Sequence, residues 1–417
     1  MTRLYERFLA CGAVSTDTRR IVPGSIFFAL HGATFDGNRF VDEALAKGAA
    51  WAVADDPAAA ADPRVILVED TLSTLQSLAR THRRALGLPI LAVAGSNGKT
   101  TTKELVSRVL AERFDLCATQ GNLNNHIGVP LTLLAMTSRT RFGVVEMGAS
   151  ACGEIATLCS IAEPDYGILT NVGRAHLEGF GGVEGVRRGK GELYDWLAAH
   201  GGTAFVRTDD PVLAAMAAER PALHVSAYAE TAAAGIASAL EGDYNRYNIA
   251  AAAAIGRHFG IDEASIARAI GSYAPDNNRS QRIESGRNTV IADCYNANPS
   301  SMRAAVGHFL AEPLGCRQQR LLILGEMREL GAWSGEEHRA VIRQAAADPS
   351  AELWLVGPAF REAMEELRSE GFTAPRVALF ADCETLCRRL AEAPLDQALV
   401  LLKGSHGVGL ERAIALL

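Results

Sequence analysis

Short apolar runs alternate with longer amphipathic segments through the middle of this chain. Such runs, bounded by glycine or polar turns, are typical of buried strands, and the amphipathic segments between them are typical of helices. The runs predicted as strands are Ile90–Ala94, Gly143–Glu146, Tyr166–Thr170 and Thr203–Val206. Alternating strands and helices form a parallel sheet covered by helices. We therefore predict an α/β fold for this part of the chain.

Two further units flank the middle segment. Residues 74–85 have the pattern of a helix that ends at Gly87-Leu88-Pro89, which places a first boundary near residue 87. A second break falls at Ala274–Asn278, and strands are predicted after it at residues 321–324, 353–356 and 399–402. A chain of 417 residues is too long for one ordinary core. We therefore predict three domains, at residues 1–86, 87–273 and 274–417.

Composition narrows the class of protein. Hydrophobic residues make up 48% of the chain and charged residues 21%, which is typical of a soluble globular protein. The formal net charge of −7 argues against a nonspecific nucleic-acid binder. The sequence has neither the apolar stretch of a signal peptide after Met1 nor one long enough to span a membrane. We expect a cytoplasmic protein without a nucleic-acid partner or a membrane span.

A glycine-rich turn follows the first strand of the middle segment. A strand that leads through such a turn into a helix leaves backbone N–H groups aimed at one point, where a polyphosphate can accept them. The full phosphate-loop pattern has a glycine five residues before Gly98, where this chain has Val93. The flanking strand and helix nevertheless favour nucleotide binding over an ordinary turn. The residues expected at the nucleoside triphosphate are Gly95, Ser96, Asn97, Gly98, Lys99, Thr100 and Thr101.

Three further polar residues are candidates for a site near this loop. Glu146 ends a strand, where it could hold Mg²⁺ beside the phosphates; the alternative is a carboxylate in solvent. His176 lies just past the next strand, and a single histidine there is more often structural than a ligand. Lys190 lies in a helical pattern and would by default be solvated. The residue types therefore support a metal-binding role for Glu146 and leave the roles of His176 and Lys190 undecided.

Several strings along the chain resemble the Mur ligase family. The strings similar to the central domain of that family are Gly95–Thr101, Gly121–Pro130, Glu146–Ser150 and Asn171–Glu178. Those similar to its third domain are Asp293–Pro299 and Lys403–Gly409, and those similar to its first are Ser15–Arg19 and Phe35–Gly37. The resemblance spans the whole chain. It implies a UDP-sugar domain, a central phosphate-loop ATPase domain and a C-terminal Rossmann-like domain that brings the amino substrate.

The resemblance also implies an activity. The strings at residues 146–150 and 295–299 are most similar to the family members that add D-alanyl-D-alanine to UDP-N-acetylmuramoyl-tripeptide in peptidoglycan synthesis. In that reaction the γ-phosphoryl group of ATP moves to a substrate carboxylate, and the amine of the second substrate attacks the resulting acyl phosphate. The implied partners are therefore ATP, the muramoyl tripeptide and the dipeptide. We expect a monomer, and no local motif reports whether the third peptide residue is diaminopimelate or lysine.

Two Mg²⁺ ions belong to the chemistry that the resemblance implies. Thr100 and Glu146 would hold the ion between the β and γ phosphates, while His176 and Lys190 would hold the second ion near the acceptor carboxylate. An ammonium has no lone pair, so Lys190 can act as a ligand only after CO₂ has carbamylated it. Lys99, Glu146, His176 and Lys190 form the implied catalytic set.

The remaining roles follow the same resemblance. The residues assigned to the nucleotide are Asn245, Arg279 and Asp293, with Arg282 as the alternative to Arg279. Those assigned to the peptide substrates are Asn124, Asn125, Asn296 and Asn298, and those assigned to the uridine diphosphate are Ser15, Thr16, Asp17 and Arg19. The alternative for the last four is a polar turn before a strand. His406 stands where relatives often have arginine, which leaves its role open.

Two other functions compete with this one. The first is another amino-acid-adding Mur ligase, such as the one that adds the third peptide residue. The second is a regulatory module that binds and hydrolyses ATP without ligating anything. The presence of Lys99, Glu146, His176 and Lys190 together argues against the second function, because a pure binding module has no use for a second metal site.

Overall fold

The computed structural model describes residues 1–32, 34–275 and 278–417. Asp276 and Asn277, in the predicted second break, lie outside the described residues. The helices are α1 (Thr2–Cys11), α2 (Val41–Ala46), α3 (Thr71–Leu86), α4 (Lys99–Ala111), α5 (Gly128–Leu134), α6 (Glu154–Ala162), α7 (Leu177–Phe180), α8 (Val183–His200), α9 (Pro211–Ala218), α10 (Asp243–His258), α11 (Glu263–Gly271), α12 (Pro299–Ala311), α13 (Ser334–Ala345), α14 (Pro358–Ser369) and α15 (Cys383–Glu392).

The strands form three separate sheets. They are β1 (Val14–Ser15), β2 (Ile26–Phe28), β3 (Trp51–Ala54), β4 (Val65–Leu67), β5 (Ile90–Ala94), β6 (Leu116–Ala118), β7 (Phe142–Glu146), β8 (Tyr166–Leu169), β9 (Thr203–Arg207), β10 (His224–Tyr228), β11 (Gln281–Glu284), β12 (Thr289–Asp293), β13 (Gln319–Gly325), β14 (Glu352–Val356), β15 (Val377–Phe380) and β16 (Ala398–Lys403). The predicted α/β class is confirmed, and each predicted domain range contains one sheet. Among the described helices, none is long and apolar enough to cross a membrane.

The first sheet has the order β1-β2-β3-β4 and is parallel throughout. The helix predicted at residues 74–85 is longer, because Asp70 accepts a hydrogen bond from the amide of Ser73 at 2.6 Å and caps α3. This helix packs against the central domain. Nε2 of His82 lies 2.9 Å from the carbonyl of Met136, and Arg83 pairs with Asp165 at 2.8 Å. Helix α3 therefore carries the first domain onto the second.

The central sheet has the order β10-β9-β8-β5-β7-β6, and all its pairs are parallel. Strand β5 lies between β8 and β7, so the carboxyl ends of these three strands meet at one edge. Helix α10 packs on α4 over this sheet, and its alanines at residues 250–253 are almost fully buried. Small side chains let the two helices approach closely. Oγ1 of Thr102 also donates to Oδ1 of Asn248 at 3.0 Å.

The third sheet has the order β11-β12-β16-β13-β14-β15. Strand β11 is antiparallel to β12, and the other pairs are parallel. The three strands predicted here are present, but the antiparallel hairpin was not predicted. The reason is visible in β11, whose residues alternate between half-buried and exposed and contain no apolar run. Strand β12 ends at Asp293, which faces the central domain through the cavity described below.

Candidate active site

Gly95 and Gly98 shape the loop between β5 and α4. Gly95 has a φ of 134°, and a Cβ there would lie 2.1 Å from Oγ1 of Thr170. Gly98 has a φ of 76°, and a Cβ there would lie 2.6 Å from Oδ1 of Asn248. Only glycine accepts both the backbone angles and the crowding. Val93, which replaces the earlier glycine of the longer pattern, lies fully buried inside β5 and takes no part in the turn.

The loop is anchored to the segment that follows β8. Oγ of Ser96 accepts from the amide of Gly173 at 2.9 Å. The amide of Asn97 donates to Oδ1 of Asn171 at 3.0 Å, and Nδ2 of Asn171 returns a bond to the carbonyl of Asn97 at 3.0 Å. Oγ1 of Thr170 donates to the same carbonyl at 2.6 Å. Four hydrogen bonds therefore join the phosphate loop to residues 170–173.

Lys99 begins α4 and lies across the loop. Its Nζ donates to the carbonyls of Gly95 and Ser96, at 3.0 and 3.1 Å. Burial lowers the pKa of Lys99; the nearby carboxylate of Glu146 opposes this, and the guanidinium of Arg279 adds to it. Two cationic groups from different domains thus stand close together in a cavity wall. Such an arrangement favours an anionic ligand between them.

Glu146 ends β7 and is only 1% exposed, so the solvent-exposed alternative is wrong. Its Oε1 accepts from Nδ2 of Asn124 at 2.7 Å and from Oγ1 of Thr100 at 3.3 Å. Its Oε2 is buried, and no described residue forms a hydrogen bond with it. A buried carboxylate oxygen without a partner is costly. A cation held between this carboxylate and the Thr100 hydroxyl would satisfy it.

Lys190 lies in α8 and is 1% exposed, so the solvated alternative is wrong as well. Its Nζ donates to the carbonyl of Ala149 at 2.9 Å and lies 4.9 Å from the ring centre of Phe180. Burial, together with the ammonium of Lys99, lowers the pKa of Lys190 to about 7. Ala149 lines the cavity, whereas Lys190 does not. A substantial share of the amine is therefore neutral at neutral pH.

His176 lies immediately before α7 and lines the cavity. Its backbone is left-handed, with a φ of 51°, and its Nδ1 pairs with Oε2 of Glu329 from the third domain. Burial lowers the pKa of His176, and the Glu329 carboxylate opposes that effect. His176 is thus held from two domains at once.

A cluster of charged residues faces the phosphate loop from the third domain. Oδ2 of Asp293 accepts from Nζ of Lys403 at 2.5 Å, and Oδ1 accepts from the amide of Ser280 at 3.1 Å. The guanidinium carbon of Arg279 lies 3.7 Å from the ring centre of Tyr295. Arg279, Asp293, Tyr295 and Lys403 all line the cavity.

Arg282 is placed differently from Arg279. Its guanidinium pairs with Glu241 at 2.9 Å, Glu312 at 2.7 Å and Glu284 at 3.1 Å, and it does not line the cavity. Three carboxylates already occupy this guanidinium. Of the two arginines considered from the sequence, Arg279 is the one that lies beside the phosphate loop.

Asn245 and Asn125 line the cavity, but their side-chain amides form hydrogen bonds with residues nearby in the chain. Nδ2 of Asn245 donates to the carbonyl of Glu241 at 2.6 Å, and its Oδ1 accepts from Asn248 at 2.8 Å. Oδ1 of Asn125 accepts from the amide of Gly128 at 2.9 Å, at the start of α5. Both side chains are therefore oriented by the protein, and each presents only part of its hydrogen-bonding capacity to the cavity.

Asn298 connects the third domain to the phosphate loop. Its Oδ1 accepts from the amide of Ser301 at 3.0 Å and caps α12, while its Nδ2 donates to Oδ1 of Asn97 at 2.7 Å. Asn296 lines the same cavity. His406 does not line it; its ring stacks on that of Tyr295, with ring centres 5.8 Å apart.

The residues assigned to the uridine diphosphate lie apart from this cavity. Ser15 is buried at the end of β1, and Thr16 follows it. Asp17 caps a short 3₁₀ helix and pairs with Arg19 at 2.8 Å, and hydrogen bonds from Arg19 lower the pKa of Asp17 to about 2. These contacts form a polar turn. The predicted role of these four residues stays a prediction.

One large cavity is lined by most of the other predicted residues. Its volume is about 1090 Å³, and its wall includes residues from all three domains. The predicted residues in the wall are Ser96, Asn97, Gly98, Lys99, Thr100, Thr101, Asn124, Asn125, Glu146, His176, Asn245, Arg279, Asp293, Asn296 and Asn298. Gly95 and Lys190 are not among them, although the carbonyl of Gly95 accepts from Lys99 and Lys190 donates to the carbonyl of Ala149 in the wall. This volume exceeds that of a typical drug-sized pocket, which leaves room for more than one substrate.

Sequence reasoning missed several residues of the wall. Leu72 and Gln76 come from α3, whose docking on the central domain no local pattern reveals. Lys403 and Tyr295 lie inside strings that were recognised, but no role was given to them. Glu329 belongs to a turn after β13 and had no signal of its own. The sequence feature that could have pointed to Lys403 is a charged residue at the end of an otherwise apolar strand.

Comparison with known proteins identifies the family. Family models match three successive segments: "Mur ligase family, catalytic domain" at residues 12–83, "Mur ligase middle domain" at 93–235, and "Mur ligase, glutamate ligase domain" at 278–406. The UDP-N-acetylmuramoyl-tripeptide–D-alanyl-D-alanine ligase of Bacillus subtilis is 32% identical, over 98% of this chain and 93% of its own length. The chain belongs to the Mur ligase family.

Other Mur ligases agree with this assignment. The enzyme of the same description from Escherichia coli is 33% identical over 96% of this chain and 92% of its own. Among solved structures, MurF from Acinetobacter baumannii has a TM-score of 0.83 at 28% identity, covering 97% of this chain and 92% of that one. MurF ligase from Thermotoga maritima, solved in complex with ADP, has a TM-score of 0.81 at 27% identity, covering 98% and 97%. The Mur ligase architecture predicted from the strings is therefore confirmed.

Proposed function

We propose that this chain is an ATP-dependent ligase that joins D-alanyl-D-alanine to UDP-N-acetylmuramoyl-tripeptide in peptidoglycan synthesis. One observation carries the proposal: a single cavity is lined by the phosphate loop, by Glu146 and His176, and by Arg279 and Asp293 from the third domain. The ligases named above for this reaction match nearly the whole chain. A module that only bound ATP would not need a cavity of this size shared by three domains.

The proposed reaction transfers the γ-phosphoryl group of ATP to the terminal carboxylate of the muramoyl peptide. The bond between the γ phosphorus and the bridging oxygen breaks, ADP leaves, and an acyl phosphate forms. The amine of the dipeptide then attacks the acyl carbon, the bond from that carbon to the phosphate oxygen breaks with its electron pair on the phosphate, the nitrogen gives up a proton, and an amide remains. Lys99 from the central domain and Arg279 from the third domain would bind the phosphates and offset their charge.

The residues present also fit Mg²⁺ at the nucleotide. The buried, unpartnered Oε2 of Glu146 and the hydroxyl of Thr100, which lies 3.3 Å from Oε1, are oxygen donors of the kind that Mg²⁺ prefers. When bound, the ion would neutralise charge on the β and γ phosphates and so assist phosphoryl transfer. Asn124 holds the Glu146 carboxylate in place through its 2.7 Å hydrogen bond.

His176 and Lys190 are proposed for the second ion, near the acceptor carboxylate. His176 lines the cavity, and Lys190 hydrogen-bonds the carbonyl of Ala149, which also lines it. Carbamylation needs a neutral amine, and the pKa of about 7 supplies one at neutral pH. The carbamate would extend the side chain and turn it into an oxygen donor. We also propose that the enzyme is a monomer and acts in the cytoplasm.

A substrate matrix tests the proposed function. Phosphate release should require ATP with Mg²⁺, UDP-N-acetylmuramoyl-tripeptide and D-alanyl-D-alanine together, and the product should be the pentapeptide by mass spectrometry. Tripeptides ending in diaminopimelate and in lysine are compared as acceptors. Turnover with a muramoyl dipeptide and a free amino acid, and none with D-alanyl-D-alanine, would identify a different Mur ligase. ATP hydrolysis without any peptide product would identify a non-ligating ATPase.

A further inference from the structure

Two non-glycine residues with left-handed backbones meet where the third domain touches the central domain. His176 has a φ of 51° and Glu329 has a φ of 61°. Their side chains are paired through Nδ1 of His176 and Oε2 of Glu329. Non-glycine residues seldom adopt this conformation, and such residues concentrate at sites that need a particular side-chain direction. The pairing of two of them points to a role beyond surface charge.

The backbones around this pair are also in direct contact. The amide of Glu178 donates to the carbonyl of Glu329 at 3.3 Å. Gly331 follows with a φ of 50°, and a Cβ there would lie 3.2 Å from the side chain of Glu178. The turn at residues 329–331 therefore contacts the start of α7 directly. His176 lies immediately before this helix.

A second set of contacts holds the same segment from the third domain. Nε of Arg174 lies 2.5 Å from Oε1 of Glu337, and Arg303 pairs with Oε2 of Glu337 at 2.7 Å. Glu337 is 2% exposed, whereas the side chains of Arg174 and Arg303 are 34% and 42% exposed, so only the carboxylate of these pairs is shielded from solvent. The amide of Arg174 also donates to Oγ of Ser300 at 2.8 Å. Residues 174–178 are thus held by α12, α13 and the turn after β13.

The contact with Glu329 also determines which nitrogen of the His176 imidazole carries the proton. A carboxylate only accepts hydrogen bonds, so Nδ1 of a neutral His176 must carry the proton and Nε2 must carry the lone pair. No described residue is hydrogen-bonded to Nε2. Histidines that bind metal ions commonly donate their other ring N–H to a carboxylate, which fixes the ring and its tautomer. Glu329 and His176 have this arrangement.

We propose that Glu329 is a positioning residue that orients His176 as a cation ligand, so that the second cation site is complete only when the third domain is docked. This inference rests on the proposed function, in which His176 holds the second ion. The side chain of Glu329 is 60% exposed, and an exposed ion pair contributes little to stability. Its contribution is to the direction of the imidazole.

The first test measures the imidazole itself, without metal or substrate. Imidazole ¹⁵N spectra at pH 8 are recorded for the full chain, with Glu329→Gln to remove the charge and Glu329→Gly to remove the side chain while permitting the left-handed backbone. Glu336→Gln, an exposed glutamate in α13 of the same domain, is the matched control. His176→Gln identifies the resonance. Unmodified protein and control should show the Nδ1–H tautomer. Glu329→Gly should lose that preference, and Glu329→Gln, whose amide can donate as well as accept, should weaken it.

The second test measures Mn²⁺ binding in the presence of a non-hydrolysable ATP analogue, by electron paramagnetic resonance. The weaker of two Mn²⁺ affinities should fall roughly 10- to 100-fold in the Glu329 variants and remain unchanged in Glu336→Gln. Thermal melting of each variant establishes that the fold is intact.

The outcomes separate this inference from the proposed function. If His176→Gln leaves both Mn²⁺ affinities unchanged, His176 holds no ion and the proposed second site fails, whatever Glu329 does. If His176→Gln removes one affinity while both Glu329 variants keep the tautomer and the affinity of the unmodified protein, the positioning role is overturned.

Discussion

Nδ2 of Asn298 donates to Oδ1 of Asn97 at 2.7 Å and so joins the first turn of α12 to the phosphate loop. The same side chain caps α12 through its oxygen. One residue therefore stabilises a helix in the third domain and contacts the phosphate loop in the second. The two roles use different atoms, which makes them separable by substitution.

Asn298→Asp should keep the helix cap and lose the contact with Asn97, because Asp is as good a cap as Asn but has no N–H to donate. Losing this partly buried hydrogen bond and leaving its acceptor unpaired costs about 1–3 kcal/mol. We expect kcat/KM for ATP to fall about tenfold to a hundredfold, with the melting temperature nearly unchanged. Asp382→Asn, the opposite exchange at the cap of α15, is the control. An unaltered kcat/KM would show that the contact has no part in assembling the site.

Lys99→Ala should reduce turnover at least 100- to 1,000-fold, the effect of losing one preorganised charge-stabilising group. Nζ of Lys99 bonds only to loop carbonyls among the described residues, so folding should be little affected. Steady-state phosphate release and thermal melting measure the two effects separately. A variant that melts like the parent and turns over at a near-normal rate would exclude this loop as the ATP site.

The carbamylation proposed for Lys190 would make activity depend on dissolved CO₂. Stripping CO₂ from the buffer should lower turnover, and bicarbonate should restore it. Lys190→Ala should lose most activity and recover part of it with a small carboxylic acid, which can occupy the vacated space and supply the missing oxygen ligand. A high-resolution map of an active, ligand-bound crystal with a bare ammonium at Lys190 would contradict the assignment, as would normal turnover of Lys190→Ala.

The lowered pKa of Lys190 also predicts a pH dependence of stability. Its usual pKa is 10.5 and the folded value is about 7, so between these values the unfolded chain binds the proton more tightly. The free energy of unfolding should therefore rise with pH relative to Lys190→Met, by up to about 1.4 kcal/mol per pH unit from pH 7 to about 10. Denaturant titrations in CO₂-free buffer measure this difference. The exposed Lys47→Met controls for loss of a positive charge, and equal slopes for the parent and Lys190→Met would refute the prediction.

Local patterns along the sequence were sufficient for much of the fold. The apolar run Ile90–Ala94 and the turn at Gly95 and Gly98 predicted β5, the loop and α4, because a buried strand and a glycine turn depend mainly on neighbouring residues. Neighbouring residues also predicted where β7 and β8 end. Glu146 is the last residue of β7, and Thr170 follows the last residue of β8. Strand β11 escaped prediction because pairing with β12, and not its own hydrophobicity, makes it a strand.

The family strings carried the prediction further than periodicity could. They named Glu146, His176 and Lys190 as one set, although these residues lie on three different elements. Periodicity alone favoured a solvated Lys190, and tertiary packing decided otherwise. The lysine is buried because Phe180 and Ala149 pack over it, and that packing brings its pKa close to neutrality.

By itself, the sequence determined the fold class, the phosphate loop and the family. The first two depend on residues that are adjacent in the chain, and the family is identified by short strings of consecutive residues. Only the tertiary structure decided which arginine faces the loop, that α3 lines the cavity, and that Asn298 and Glu329 reach across from the third domain. Those contacts join residues 153 to 201 positions apart. Their geometry is set by how whole domains pack, which no local pattern encodes.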